Sequence, residues 1–181
     1  IYCKIADGDA SGAFPLNAGG ALFFDKSSDI LVDHCRIFDN SAEKGIIHIR
    51  SNSNPVIKNS TIKNNDNYPI IWRANQVRHF DNRSCSGNTI DKIRVVGETV
   101  INDATWQNTG VPYLIDDGHV YIQGQDGADN ITTLTIDPGV EIQVDTNYIW
   151  VGHNTNTTYP GALVAIGTPS SPIIFTSAAA S

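Results

Sequence analysis

The chain has 181 residues, 40% of them apolar and 17% charged, and its 19 acidic against 12 basic side chains give a formal net charge of −7. That length suits one domain, 1–181, with a full core, and no window approaches the ~18 consecutive apolar residues of a membrane-spanning helix. An acidic chain with no basic cluster disfavours nucleic acid and anionic membrane surfaces, leaving a neutral or cationic partner.

Ile1-Tyr2-Cys3 reads as the tail of an inward-facing strand. Because the chain opens on Ile1 and contains no Met, a processed or partial product of something longer is expected. Cys3, Cys35 and Cys85 cannot all pair within the chain and make no CxxC or zinc spacing, so buried thiols acting as small apolar side chains are expected rather than a disulfide framework. Asp7-Gly8-Asp9-Ala10-Ser11-Gly12 has the oxygen-rich spacing of a partial calcium loop. This makes Asp7 and Asp9 the candidate metal ligands and Ca2+ the only cofactor with sequence support. The distal bidentate acid is missing, however, and a surface turn is favoured.

From Leu22 onward the sequence repeats. Leu22-Phe23-Phe24-Asp25, Ile47-His48-Ile49-Arg50 and Ile70-Ile71-Trp72-Arg73 follow one another at intervals of 25 and 23 residues. The segments starting at Val32, Ile57 and Phe80 keep the same two intervals. Each unit alternates apolar and polar residues between Gly, Asn, Ser and Asp, which predicts short strands and turns rather than helices. A period of two dozen residues with two or three strands is one coil of a β-solenoid. Alternation sends Leu22, Ile47 and Ile70, with Phe24, Ile49 and Trp72, inward. It leaves Phe23, His48, Ile71 and the column Asp25, Arg50, Arg73 outside. Asn40, Asn65 and Asn88 fall at one turn, where side-chain amides can form a structural ladder. Asp33, Lys58 and Asp81 form an outward column of alternating sign.

These residues resemble the parallel β-helix repeat of the pectin-lyase-like superfamily, with units of the form I-x-N-x-x-I-x-x-N; Asn54-Pro55-Val56-Ile57-Lys58-Asn59-Ser60-Thr61-Ile62-Lys63-Asn64-Asn65 is the best match. The resemblance implies an all-β, right-handed parallel β-helix of about 22–25 residues per coil, as a fragment of a longer solenoid. Short repeats fill 19–98, and longer coils with polar insertions fill 99–181.

The second half resembles a module of large secreted or cell-surface microbial β-helix proteins, through Thr105-Trp106-Gln107-Asn108-Thr109-Gly110-Val111-Pro112-Tyr113, Leu134-Thr135-Ile136-Asp137-Pro138-Gly139-Val140-Glu141-Ile142 and Gly161-Ala162-Leu163-Val164-Ala165-Ile166-Gly167-Thr168-Pro169, then Pro172-Ile173-Ile174-Phe175-Thr176-Ser177. Polar insertions are expected at 124–130 and 152–160, where solenoids carry binding function. Phe175-Thr176-Ser177 reads as a strand awaiting another coil, so a longer parent chain or end-to-end association of copies is expected.

Function is less legible. Lyases of this superfamily use acidic clusters for Ca2+ with a Lys or Arg base, yet no three carboxylates fall on successive outward positions here. Arg50 and Arg73, one coil apart, could hold the carboxylate of an acidic sugar, although solvated surface charge explains them better. Trp106, Tyr113, Tyr148 and Tyr159 lie near insertions as candidates for stacking on sugar rings, whereas Trp72 and Trp150 are expected in the core. The five histidines form no triad or H-x-x-x-H pair, and no Gly-x-Ser-x-Gly elbow or phosphate loop occurs. The N-x-[ST] sites at Asn59, Asn82, Asn130 and Asn156 are glycan acceptors in a secreted eukaryotic chain. The expectation is a non-catalytic structural or adhesive segment of a secreted or cell-surface protein, with polysaccharide or copies of itself as partner. A polysaccharide lyase or a glycan-binding module is the alternative.

Overall fold

A computed structural model describes residues 3–50, 53–81, 84–153, 155 and 158–178. The expectations placed on Ile1, Tyr2, Asn82, Arg83 and Asn156 lie outside the described residues. The strands are two to five residues long, and their registered pairs are parallel throughout. The one helical stretch of several residues is the 3-10 turn Ala74–His79. Backbone proximity divides the chain into two compact units, the first comprising Ile1–Trp72, His79–Arg94 and Thr109–Pro112, the second Arg73–Arg78, Val95–Asn108 and Tyr113–Ser181.

The first unit stacks three strand columns. Leu22–Phe24, Ile47–Ile49 and Ile70–Arg73 form one, with Leu22 beside Ile47 and Ile47 beside Ile70. Leu31–Asp33, Val56–Lys58 and Phe80–Asp81 form the second, with Val32, Ile57 and Phe80 aligned. Cys3–Ala6, Cys35–Phe38 and Thr61–Ile62 form the third, with Ile5, Ile37 and Ile62 aligned. The intervals of 25 and 23 read from the sequence are therefore the structural register. Inward side chains stack like on like, and Ile37, Ile47, Ile57, Ile62 and Ile70 are fully buried, each such side chain contributing about 1.5–3 kcal/mol.

The turns are set by residues that accept a left-handed backbone. Asp39, Asn64 and Gly87 have φ of 55°, 56° and 89° immediately before Asn40, Asn65 and Asn88, conformations that Asn, Asp and Gly adopt at least cost. The asparagine ladder forms as the sequence indicates. Asn40 Nδ2 donates to Asn65 Oδ1 and Asn65 Nδ2 to Asn88 Oδ1, both at 2.9 Å. Each acceptor oxygen also takes the backbone N–H of the asparagine before it in sequence. Gly8 N–H donates to Asn40 Oδ1, and the Asn88 N–H donates to Asp91 Oδ1, so neither end of the ladder is left unsatisfied.

One expectation about the outside is corrected. Ile71 is buried and Phe23 and His48 are half-buried, because the chain crosses over them. Ile5 and Ile37 are 32 residues apart rather than 25, and seven additional residues between Ala10 and Leu22 carry Phe14 to 6.2 Å from the Phe23 ring and 6.0 Å from His48. Lys44 and Arg50 cap the Phe14 ring at 5.1 and 5.4 Å. Burial in this cluster pushes the His48 imidazole below its ordinary pKa.

The second unit also has three columns, with longer coils. Thr99–Val100, Val120–Ile122 and Ile149–Val151 form one; Ala104–Trp106, Thr132–Ile136 and Gly161–Ala165 another; Tyr113–Asp117, Glu141–Val144 and Ile174–Ser177 the third. Aligned residues are 22 to 33 apart, from Thr99 with Tyr121 to Ile142 with Phe175. The extra length lies in the insertions at 124–130 and 152–160 and in the 166–173 connection. Val151, Leu163 and Phe175, register partners of the buried Ile122, Leu134 and Ile142, are themselves exposed.

Candidate functional site

The first column of the second unit has two unlike faces. Val100, Val120 and Ile122 are buried, so the alternate residues point outward, and the register places Thr99, Tyr121 and Trp150 side by side. Val120 pairs with Ile149, which brings the preceding residues, His119 and Tyr148, together: their rings stack at 3.7 Å and 14°. Tyr148 meets Tyr121 edge-on at 6.1 Å and Trp150 at 6.1 Å, and Tyr121 lies 6.4 Å from Trp150. Tyr148 and Trp150 remain 42% and 39% exposed. Exposed aromatic rings clustered on one outward face are the least expected feature of an otherwise alternating solenoid.

The rings are inclined to one another and enclose a shallow recess of about 270 Å3, lined by Tyr121, Gln123, Tyr148, Trp150 and His153. A second recess of about 400 Å3 shares Gln123 and His153 and adds Thr99, Ile101, Gln125 and Tyr159. The Tyr121 and Tyr148 hydroxyls lie 3.3 Å apart, and that hydrogen bond raises the Tyr148 phenol above its ordinary pKa, with a smaller contribution from desolvation. Both recesses combine ring faces with amide, hydroxyl and imidazole groups. Ring faces take apolar C–H surface, and the polar groups donate to and accept from hydroxyls.

The sequence places the stacking aromatics differently, and here it is corrected. Trp106 and Tyr113 are 0% and 1% exposed, with ring centroids 5.2 Å apart, and cannot reach a ligand. Trp106 pairs with the buried Ile136 and Tyr113 with the buried Ile142, and the Tyr113 hydroxyl donates to the Gln107 carbonyl at 2.7 Å. Trp150, expected inside, is outside. Ile149-Trp150-Val151 is an unbroken apolar run whose alternation has two possible phases, and a one-residue change of phase exchanges the faces. The aromatic face was legible only through the 29-residue interval that sets Tyr121 beside Trp150. Trp72 is buried as expected, 5.6 Å from Phe80.

The other candidates do not join this site. Arg50 donates to Asp25 at 2.9 Å, and Arg73 lies 3.8 Å from Glu98, so each guanidinium faces a carboxylate of its own chain. Burial pushes the Glu98 carboxyl up, opposed by the Asn75 N–H it accepts and by Arg73 and Arg78. Asp7 sits exposed at a left-handed turn, and Asp9 is exposed on the strand Asp9–Ala10 beside Ser41. Among the described residues no group of three His, Cys, Asp or Glu side chains is placed to hold a metal ion. Lys58 lies 3.8 Å from Asp33, in the column of alternating sign; Asp33 is held below the ordinary carboxylate range first by the Asn59 amide, with His34 and Lys58 adding.

The right-handed β helix region family matches residues 2–112 of the chain. Neither the curated proteins nor the solved structures include a match.

Proposed function

We propose, for a chain that belongs to the right-handed β-helix family, that it is a non-catalytic adhesive segment of a secreted or cell-surface protein, holding neutral polysaccharide on the outward aromatic face of its second unit. The observation that carries this is the cluster of Tyr121, Tyr148 and Trp150 over recesses lined by Gln123, His153 and Tyr159. Pyranose rings offer a C–H face to an aromatic ring and hydroxyls at their edge to amides and imidazoles. Neutral polysaccharide is favoured over acidic because no Lys or Arg lines either recess and the chain carries −7 overall. The fold itself supplies only a rigid scaffold; the function rests on the side chains mounted on it. Copies stacking end to end are a second partner, supported by the exposed inward side chains Val151, Leu163 and Phe175.

Affinity electrophoresis through gels cast with neutral polysaccharides such as glucans, mannans or xylans tests the proposal. Retardation by at least one, weakened tenfold or more by Trp150→Ala, which is ~1.4 kcal/mol, supports it. Equal mobility in every gel refutes it. So does release of unsaturated product from polyuronate with calcium, which would identify a lyase.

A further inference from the structure

Cys3 and Cys35 are neighbours through the fold, although 32 residues separate them. Cys3–Ala6 and Cys35–Phe38 pair in parallel with Cys3 directly opposite Cys35, so both side chains leave the same face. Paired strands run about 4.8 Å apart, inside the ~4.4–6.8 Å between Cα atoms that a disulfide spans. The two thiols are close enough to influence each other: the pKa of Cys35 is raised by burial first and then by Cys3. Cys3 is exposed, while Cys35 is buried and positioned by its backbone N–H, which donates to Ser60 Oγ at 3.1 Å. In the following coil the same position is Ser60, because Arg36 pairs with Thr61. The column therefore holds two sulfurs and a hydroxyl. Cys85 is fully buried.

We propose that Cys3 and Cys35 form an intrachain disulfide under oxidising conditions, a covalent staple between two successive coils of the first unit. This stands apart from the glycan proposal and draws on no residue of the aromatic face. With glutathione disulfide as oxidant, the exposed Cys3 thiolate attacks one glutathione sulfur and releases the other as glutathione thiolate. Cys35 then gives up its proton and attacks the Cys3 sulfur of the mixed disulfide, expelling the second glutathione. Two electrons and two thiol protons leave the protein and reappear in two molecules of glutathione. Exposure of the attacking thiol and proximity of the resolving one are what this exchange needs.

The folded chain, reduced and then equilibrated with glutathione disulfide, is analysed by thiol titration under denaturing conditions, intact mass and unreduced peptide mapping. The expected result is a fall from three titratable thiols to one, loss of two hydrogens, and a linked pair of peptides carrying Cys3 and Cys35. Cys85→Ser is expected to leave that link intact. In Cys35→Ser, an isosteric change at a position whose stacked neighbour is already serine, the reaction stops at a persistent glutathione adduct on Cys3. A stable adduct on Cys3 in the unaltered chain, three unchanged thiols, a link involving Cys85, or a disulfide-joined dimer would each overturn the proposal.

Discussion

The two units apply one construction to different ends. In the first, the coil repeats at 25 and 23 residues, and most outward or turn-borne polar groups are spent on the unit itself. Asn40, Asn65 and Asn88 bond along the ladder, Arg50 closes on Asp25, and Phe14 covers Phe23 and His48. In the second, coils reach 33 residues, and the outward column carries rings that remain open to solvent. The contrast teaches that a solenoid gains a binding face where lengthened coils flank an outward column that the unit does not itself cover, since the inward columns are committed to packing in both.

The tryptophans offer the sharpest way to break that comparison. Trp106→Ala is expected to cost about 3–5 kcal/mol of stability, as for other fully buried large side chains, whereas Trp150→Ala is expected to cost less than about 1 kcal/mol and to weaken glycan binding. Urea denaturation of the two variants measures both. Comparable losses would mean that Trp150 belongs to the core after all.

Removing the central rung of the ladder comes next. Asn65→Ala deletes an oxygen that accepts from Asn40 twice and an amide that donates to Ile37, Lys63 and Asn88. A loss of about 3 kcal/mol is expected, lowering the thermal midpoint by roughly 6–12 °C. A shift no larger than that of an exposed control such as Asn147→Ala would show that water replaces the ladder without loss.

The smallest expected effect is the pH dependence. Asp33 is held below the ordinary carboxylate range chiefly by Asn59, and Asp126 chiefly by the Asp103 N–H. Their stabilisation is present above the ordinary carboxylate pKa and is lost as pH falls toward their folded values. Glu98 acts in the opposite sense. Its pKa is raised by burial, so its contribution is present below its unfolded value and is lost as pH rises through the folded one. Denaturation midpoints are expected to fall below about pH 4, and Glu98→Gln to gain stability relative to the parent between mildly acidic and neutral pH. An unchanged difference across that range would remove Glu98 from the account.

The first unit was the more legible because its signal is redundant: two strand sets and the turn asparagines all report one period, so an error in any strand is caught by the others. What the sequence hid there was the crossing of Phe14, since a seven-residue insertion carries no mark of the face it will cover. The second unit misled at Trp106, Tyr113 and Trp150. Proximity to an insertion says nothing of the side of the strand, and in Ile149-Trp150-Val151 every residue is apolar, so alternation has no phase to read. Only register with Val120-Tyr121-Ile122, whose phase is set by buried Val120 and Ile122, decides it.

Because the chain has three tryptophans, their indole N–H resonances give the most direct test. Isotope-labelled protein is titrated with the neutral oligosaccharide whose polymer retards it, or with a mixed panel if none does. The Trp150 resonance is predicted to shift saturably while those of Trp72 and Trp106 stay in place. Movement confined to Trp106, or three unmoved signals across the panel, would contradict the assignment of binding to the exposed aromatic face.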